Sequence, residues 1–297
     1  KFLKPLLNGD KRICYSMTEK AAGADATGMQ TRAERQGNEN YVLNGEKWFS
    51  SAASVADIAL VMAKTNPEAP RHQQFSTFIV ELPNPGYKIV RDIETMAMES
   101  PLSHIMGGGH SEVKIENLVV PAENLLGGEG NGFAMGQHRL AYGRLRHGMH
   151  NIAMAQRALD LATAHVTKRS TFGKKLSDRQ GVQWMLADCA AELYQARLML
   201  LHIAYKAEKG LDMRQENSIA KVFLAHMVHK VVDTAIQLHG ALGYSNDTPL
   251  ARWYTHIRSQ RLVDGPDEVH RWTVGRNVIK AFEKYGTTAS AAGGDLI

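Results

Sequence analysis

The segment Val182-Gln-Trp-Met-Leu-Ala-Asp-Cys-Ala-Ala-Glu-Leu-Tyr-Gln-Ala-Arg-Leu-Met-Leu-Leu-His-Ile203 decides the fold class. Its apolar residues alternate at spacings of four and three: Val182, Leu186, Cys189, Leu193, Ala196, Leu200 and Ile203. This spacing predicts a long amphipathic helix with one apolar seam, for which Gly210 is a natural C-terminal stop. A second seam runs through Ala220, Leu224, Met227, Val231, Ala235 and Leu238. Because such helices pack together, residues 131–286 are predicted to form a C-terminal four-helix bundle.

Residues 1–120 follow a different, β-like pattern. Alternating or continuous apolar runs recur at Tyr41–Leu43, Asp57–Ala63, Ser76–Leu82, Gly86–Val90 and Glu112–Glu116. Turn-forming residues separate them, at Asn44-Gly45, Pro83–Gly86 and Gly107–Gly109. The pattern predicts a small β-barrel or sandwich that is joined to the bundle by a linker at 121–130, with a frayed tail at 287–297. The predicted fold class is therefore α+β.

The bulk composition narrows the functional classes. The chain of 297 residues has a net charge of +5 and 22% charged residues. It contains no apolar run near the roughly 20 residues of a transmembrane segment. Cys14 and Cys189 form neither a disulfide framework nor a zinc spacing. A reducing compartment is expected: the cytoplasm of a bacterium, or the mitochondrial matrix or another reducing organelle of a eukaryote.

Several common enzyme motifs do not occur in the sequence. No Gly-x-Gly-x-x-Gly stands between a strand and a helix, which argues against a nicotinamide-binding Rossmann domain. A Gly-x-Ser-x-Gly elbow and a His-Glu-x-x-His zinc helix are also missing. Candidate catalytic residues must therefore be sought outside these common motifs.

One such segment is Arg261-Leu-Val-Asp-Gly-Pro-Asp-Glu-Val-His270. Proline is favoured at the start of a helix, and acidic residues in the first turn complement its dipole. Asp264 is thus a carboxylate held just before a predicted helix start. It could be a base aimed into a cleft, or simply part of a turn.

Four other segments have equally ordinary structural interpretations. Trp48 could be a core residue of the β half. The positive charges near residue 170 could be a solvated basic run; they are Lys168, Arg169, Lys174 and Lys175. Gln237 and His239 could be capping or satisfied core groups. The fourth segment, Tyr15-Ser-Met-Thr-Glu19 with Gly23-Ala-Asp25, identifies no function by itself.

Together, the five segments resemble the acyl-CoA dehydrogenase family over nearly the whole chain, from about residue 5 to residue 285. The specific motifs are Met17-Thr-Glu with Gly23-Ala-Asp, Arg169-Ser-Thr-Phe-Gly and Gln237-Leu-His-Gly240. Pro121-Ala-Glu-Asn-Leu-Leu-Gly resembles the family's linker. Asp264-Gly-Pro-Asp-Glu-Val-His resembles one branch of it. The family's helical N-terminal domain is expected to precede the first residue of this chain.

The resemblance implies FAD as the cofactor. By matching position, it assigns cofactor contacts to Tyr15, Met17, Thr18, Trp48, Ser50, Arg169, Thr171, Phe172, Gln180, Gln237, Gly240, Pro266 and Glu268. Trp48 is expected to cover one face of the flavin and Ser50 to reach its pyrimidine edge. Arg169 is expected to neutralise the pyrophosphate. The segment around Thr171 and the helix end at Gln237 are expected to act across a subunit interface, in a homodimer or homotetramer.

The resemblance also implies a reaction, the α,β-dehydrogenation of an acyl-CoA thioester. Asp264 matches the base that removes the α-proton while a hydride leaves for flavin N5, and electrons then pass to an electron-transfer flavoprotein. Donors at the thioester oxygen include the backbone N–H of the base. The substrate contacts implied are Ala24, Arg144 and Gly265.

The sequence departs from the family pattern at several of these positions. Asp264 replaces the glutamate of better-known members and is shorter by about 1.5 Å. Pro266 replaces a threonine, Glu268 stands where glutamine is common, and Ala24 replaces a serine. Ala141 stands where an aspartate usually precedes the arginine matched by Arg144.

Two alternatives share the fold. A nucleic-acid-binding flavoprotein of the same superfamily would suit the net charge, but the basic residues are spread along the chain without a block. No nucleic acid partner is therefore expected. A flavin monooxygenase of the same fold often lacks a carboxylate base, so Asp264 argues against it.

Overall fold

The computed structural model describes residues 1–97 and 109–293. Within them the chain divides into two compact units, Lys1–Arg139 and Leu140–Ile297. The first unit is built on a β-sheet and the second on helices. The α+β class, with a sheet domain followed by a helical domain, is confirmed. None of the helices in the described ranges is both long and apolar enough to cross a membrane.

The sheet unit begins with a short helix, and its described residues form eight strands in one sheet. The helix is α1 (Leu3–Asn8), and the strands are β1 (Ile13–Ser16), β2 (Arg32–Gln36), β3 (Asn40–Ser51), β4 (Ile58–Lys64), β5 (Phe75–Glu81), β6 (Tyr87–Ile93), β7 (His110–Pro121) and β8 (Leu125–Leu126). The strand order is β6-β7-β3-β2-β4-β5-β8, and β1 pairs in parallel with β4. Phe78, Leu43, Leu118 and Val61 are fully buried in the sheet unit's main core.

The dipeptide Asn44-Gly45, predicted as a turn, instead lies inside β3. The pairing of β3 with β7 shifts register between Leu43 and Gly45, as at a β-bulge. Gly45 has φ +153°, and a Cβ there would lie 2.5 Å from Oγ1 of Thr31. The glycine is thus required by a close backbone approach within a continuous strand. Of the predicted turn at Gly107–Gly109, residues 107 and 108 lie outside the described residues.

Residues 121–130, predicted as a linker, take part in the sheet unit. Pro121 ends β7, and Leu125 and Leu126 form β8, which pairs with β5. Asn124 donates from Nδ2 to the carbonyl of Ile79 at 3.1 Å. The backbone of this segment is therefore fastened to the sheet before the first long helix begins.

The helical unit contains four long α-helices and two short ones among the described residues. They are α2 (Gly132–Lys168), whose first residues belong to the sheet unit, α3 (Gln180–Glu208), α4 (Arg214–His239), α5 (Ala241–Tyr244), α6 (Leu250–Ile257) and α7 (Asp267–Tyr285), with a hairpin of β9 (Ser170–Thr171) and β10 (Lys174–Lys175) and a 3-10 turn at Arg258–Arg261. Both predicted seams are confirmed. Cys189, Leu193, Ala196 and Ile203 are buried in the first seam, and every member of the second seam is buried. After α3, Gly210 has φ +66°.

The tail predicted to fray is partly structured. Ala289–Ala291 form a 3-10 turn in which Ala291 is buried. The carbonyl of Ala291 accepts a hydrogen bond from Nε2 of Gln215 at 2.8 Å. Residues 294–297 of the predicted tail lie outside the described residues.

Candidate functional site

The segment from Asp264 to Pro266 forms a tight turn that precedes α7. Asp264 has φ +54° and Gly265 has φ +99°, both in the left-handed region. Pro266 is the residue before the helix, with φ −66°, and Asp267 is the first helical residue. A Cβ on Gly265 would lie 2.8 Å from Nε2 of His270. Only glycine fits at position 265 without strain, which accounts for the order of residues in this segment.

Two side chains hold the backbone of Asp264. Nε of Arg144, on α2, donates to the Asp264 carbonyl at 2.9 Å. Nε2 of His270 lies 3.1 Å from the same oxygen. Burial, reinforced by the charge of Arg144, lowers the pKa of His270 to about 4. The ring is therefore neutral near pH 7, and Nε2 carries the hydrogen that it donates to the carbonyl.

The Asp264 side chain lines a small, partly open cleft in the helical unit. The cleft is lined by Arg144, His147, Gly148, Asn151, Lys221, Leu224, Gln260, Val263 and Asp264. The Asp264 side chain is 19% exposed, and its Oδ2 lies 3.4 Å from Nε2 of His147. A Cβ on Gly143 would lie 3.2 Å from the same Oδ2. A fixed backbone thus presents a carboxylate to a partly apolar cleft.

Asp267 is placed very differently, although it belongs to the same segment. Its side chain is 1% exposed and lies 2.7 Å from Nε of Arg261, 2.9 Å from Nε2 of His226 and 3.5 Å from Nζ of Lys221. Burial alone would raise the pKa of Asp267, but these hydrogen bonds and the charge of Lys221 outweigh it and lower the pKa. Asp267 is a structural anion that ties α4 and the 3-10 turn to the start of α7.

Lys221 connects the cleft with this network. Its side chain is 7% exposed, and among the described residues Nζ finds no hydrogen-bond partner at close range. Burial lowers the pKa of Lys221, and the charges of Asp267 and Asp264 offset part of that shift. Lys221 therefore adds positive potential beside Asp264.

In the sheet unit, three of the predicted cofactor residues come together. The carbonyl of Thr18 accepts a hydrogen bond from the N–H of Trp48 at 2.8 Å. The carbonyl of Met17 accepts one from Nζ of Lys47 at 3.0 Å. Thr18 is exposed and Trp48 is half-buried. This part of the sheet unit therefore presents a hydroxyl beside an indole ring.

A buried ion pair supports this arrangement. Nζ of Lys47 lies 2.9 Å from Oε1 of Glu19, and both side chains are at most 3% exposed. Burial lowers the pKa of Lys47 to about 8, although Glu19 opposes the shift. Burial would raise the pKa of Glu19, but Lys47 and the N–H groups of Gln30 and Thr31 lower it. The pair fixes the chain direction after β1.

The other residues of the sheet unit that were predicted to contact the cofactor or the substrate are Ser50, Tyr15 and Ala24. Ser50 is 1% exposed and donates from Oγ to Oγ of Ser16 at 2.9 Å, so its hydroxyl is not presented as predicted. The hydroxyl of Tyr15 is buried without a hydrogen-bond partner among the described residues. Ala24 lies exposed in the loop after Glu19.

In the helical unit, the hairpin of β9 and β10 carries the predicted adenosine contacts. Phe172 and Gly173 form its turn, with φ +50° and +74°, as in the turns that connect short hairpins. Phe172 is 98% exposed. Nη2 of Arg179 donates to the carbonyl of Thr171 at 2.5 Å, and Gln180 begins α3 directly afterwards.

The end of α4 lies beside this hairpin within the same chain. Gln237 is in the last turn of α4, which ends at His239, and Gly240 follows with φ +63°. The His239 ring stacks on His165 with centroids 4.4 Å apart, four residues before Arg169. Glu268, in the first turn of α7, is exposed and so carries its charge into solvent.

Sequence reasoning missed His147 and Lys221. His147 stands three residues after Arg144, and Lys221 follows Ala220 of the second seam. The sequence does contain one indication of the role of His147, because Gly143 and His147 are four residues apart and so share one face of α2. However, His147 precedes Asp264 by more than a hundred residues and Lys221 by more than forty, so only the packing of α2 and α4 reveals that they lie beside it.

Comparisons with known proteins agree with this geometry. Residues 130–279 match the family description "Acyl-CoA dehydrogenase, C-terminal domain", and residues 14–107 match "Acyl-CoA dehydrogenase, middle domain". The chain is 41% identical to "Acyl-CoA dehydrogenase family member 11" of Gallus gallus over 93% of this chain and 36% of that protein. It is also 41% identical to "Probable acyl-CoA dehydrogenase FadE2" of Mycobacterium tuberculosis (strain ATCC 25618 / H37Rv), over 93% of this chain and 67% of that protein.

A solved structure gives the same result for the fold. Butyryl-CoA dehydrogenase from Megasphaera elsdenii superimposes with a TM-score of 0.86 at 30% identity, over 94% of this chain and 70% of that one. The chain thus spans about a third of the chicken relative and about two thirds of the mycobacterial one.

Proposed function

Because this chain belongs to the acyl-CoA dehydrogenase family, we propose that it catalyses the FAD-dependent α,β-dehydrogenation of an acyl-CoA thioester. The observation that carries the proposal is the placement of Asp264. Its backbone is held by Arg144 and His270, while its carboxylate lines an open cleft. A carboxylate that only closed a turn would not need two side-chain donors on its carbonyl.

Asp264 is the proposed base. It removes a proton from the α-carbon of the acyl group, and the backbone clamp keeps its oxygen in position as the proton moves. General bases placed in this way contribute about 10²–10⁴-fold to a rate. The N–H of Asp264 is the proposed donor to the thioester oxygen, which gains negative charge as the α-proton leaves.

Arg144 takes a positioning role in this proposal as well as the substrate contact that the sequence suggests. Its Nε is occupied by the Asp264 carbonyl, so any contact with the CoA portion must use the other nitrogens of the guanidinium. The five donors of arginine allow both contacts at once. Gly265 keeps the turn narrow beside the substrate.

Each unit presents groups that suit contacts with FAD. Thr18 and Trp48 offer a hydroxyl and an aromatic surface in the sheet unit. Arg169 and the exposed Phe172 offer a guanidinium and a ring in the helical unit. Ser50 does not fit through its hydroxyl. When bound, FAD supplies the acceptor for the β-hydride, and these residues of the chain hold and orient it.

The proposal extends to partners. The 98% exposed Phe172, at the tip of a charged hairpin, is a surface that a second subunit would cover. We propose that the chain acts as a homo-oligomer and passes electrons to an electron-transfer flavoprotein. Gln237 and Gly240 would then serve a cofactor together with the hairpin beside them.

Anaerobic titration of the full-length protein with a panel of acyl-CoAs tests this function. Loss of the oxidised flavin absorbance with one class of acyl-CoA is the expected result, and it also identifies the substrate. The Asp264→Ala variant should keep its yellow FAD but lose this reduction. Absence of bleaching by every acyl-CoA tested would contradict the proposed activity.

A further inference from the structure

His147 is a titratable side chain in the cleft that the proposed reaction does not yet use. Its Nε2 lies 3.4 Å from Oδ2 of Asp264. The His147 side chain is 28% exposed, whereas that of Asp264 is 19% exposed. Both side chains therefore lie together at the cleft and are partly exposed.

Packing of α2 fixes the direction of His147. A Cβ on Gly148 would lie 2.6 Å from Cδ1 of Leu200 and 3.0 Å from Cδ1 of Leu224, so α2 is pressed against α3 and α4 at this turn. Gly143, one helical turn before His147, leaves room for Oδ2 of Asp264. Because residues four apart share one face of a helix, this face of α2 offers space for the carboxylate and then an imidazole beside it.

Resting on the function proposed above, we infer that His147 is a positioning residue that acts through Asp264 and returns it to the basic form. After Asp264 has taken the α-proton, the O–H bond at its carboxyl breaks and an N–H bond forms at Nε2 of His147. The resulting imidazolium then loses one proton to water. This leaves a carboxylate and a neutral imidazole, ready for the next substrate.

The chemistry of the two groups favours this direction. Free imidazole is a stronger base than a free carboxylate by about 2.5 pKa units, so the proton moves readily from acid to ring. The 3.4 Å separation is longer than a well-formed hydrogen bond. Such contacts in active sites often shorten when substrate binds.

Other charged groups also face this pair. Arg144 lies on α2 itself, Lys221 approaches from α4, and His270 and Asp267 belong to α7. Arginine keeps its charge over the whole accessible pH range. The pKa of His270, lowered to about 4 by burial and Arg144, keeps that ring neutral above pH 5. Burial lowers the pKa of Lys221, so the loss of its charge affects the alkaline end of the pH–rate profile.

Protonation of His147 should therefore be visible as a pH effect. An ordinary histidine gains its charge between about pH 8 and 5. A ring that is already protonated can no longer receive the proton of Asp264, so the carboxylate is regenerated more slowly. The wild-type rate should therefore fall by about tenfold as the pH decreases through that range.

Steady-state turnover of an acyl-CoA with an excess of electron acceptor, from pH 5 to pH 9, tests the inference, because every turnover after the first requires Asp264 to be returned to its basic form. The variants are His147→Gln and, as a matched control, His150→Gln, which changes an exposed histidine on the same helix. We expect His150→Gln to keep the wild-type profile. His147→Gln should be about tenfold slower at pH 8, with KM little changed, and should lack the decline between pH 8 and pH 5.

FAD content and Tm are measured for each variant, and His147→Asn replaces His147→Gln if the latter does not retain FAD. A role in packing alone would lower Tm and leave the pH profile as in the wild type. An unchanged profile and rate in the flavin-loaded His147 variant would overturn this inference alone. If the wild type is reduced by no acyl-CoA, the proposed function fails, and the inference fails with it.

Discussion

Asp264 and Asp267 stand three residues apart in one segment, yet their surroundings differ completely. The carboxylate of Asp267 is sealed by Arg261, His226 and Lys221 and is 1% exposed. The carboxylate of Asp264 lines a cleft, and it is the carbonyl of that residue that receives the side-chain donors. The charge of Asp267 is held in a buried ion-pair network, whereas at Asp264 the backbone is fixed and the carboxylate remains at the cleft, as the proposed base requires.

The largest effect on the reaction rate is expected from a substitution at Asp264. Asp264→Asn keeps the size of the side chain but removes the base, so the rate of flavin reduction should fall by about 10²–10⁴-fold. FAD content and Tm should remain near the wild-type values because no described ion pair besides the contact with His147 depends on this carboxylate. Reduction at the wild-type rate would place the base elsewhere.

The corresponding change at Asp267 should affect stability instead. Asp267→Asn leaves Lys221 and Arg261 without their buried anion. Breaking a buried ion pair from one side typically costs about 3–5 kcal/mol. Urea denaturation should show this loss in the free energy of unfolding, while the reduction rate of the folded fraction should fall far less than in Asp264→Asn. An unfolding curve equal to that of the wild type would show that the network contributes little.

His270, in the same segment, should make the stability of the folded chain depend on pH. Its pKa is about 4 in the folded chain because of burial and Arg144, against about 6.5 for an ordinary histidine. The unfolded chain therefore binds more protons between these values, and stability decreases as the pH falls from 6.5 to 4. The buried ring should account for roughly 3 kcal/mol of that loss.

Denaturation of the wild type and of His270→Asn at pH 7.5 and pH 4.5 measures this contribution. The variant should lose less stability on acidification, although it starts from a lower value because the bond to the Asp264 carbonyl is gone. His150→Asn, at an exposed position on α2, should behave as the wild type does. Equal acid sensitivity in all three proteins would contradict the neutral, buried state of His270.

The smallest expected effect concerns the turn between the two aspartates. Gly265→Ala places a Cβ 2.8 Å from Nε2 of His270 at φ +99°, a strain of about 1–3 kcal/mol. Gly275→Ala is the matched control on α7, since nothing lies within 4 Å of a Cβ there. That change should stabilise the helix by about 0.5–1 kcal/mol. Thermal unfolding should therefore show shifts of opposite sign.

The sequence revealed the helices better than the strands. The seams of α3 and α4 depend on local spacing, and their members are buried or partly buried against one core, as predicted. The sequence did not predict strand β2 (Arg32-Ala-Glu-Arg-Gln), because Ala33 is its single buried residue. Asn44-Gly45 has the composition of a turn, but the close approach of Thr31 makes it a bulge. Such features depend on a neighbouring strand and not on the segment alone.

The candidate site was predictable only in part for the same reason. The segment around Asp264 shows its own turn and helix start in the sequence. One of the two donors on its carbonyl and the imidazole beside its carboxylate come from Arg144 and His147, on a helix more than a hundred residues earlier. For Ser50, the resemblance suggested a cofactor contact, but the sequence could not show that its hydroxyl donates a hydrogen bond to Ser16.

Loss of the α-proton, measured apart from hydride transfer, tests the role of Asp264 most directly. An acyl-CoA whose β-methylene is replaced by sulfur still has α-hydrogens but has no β-hydrogen to give up. In D2O, NMR should show the wild-type protein exchanging these α-hydrogens for deuterium. FAD-loaded Asp264→Asn should exchange them about 10²-fold more slowly or not at all. Exchange at the wild-type rate in that variant would contradict the assignment of Asp264 as the base.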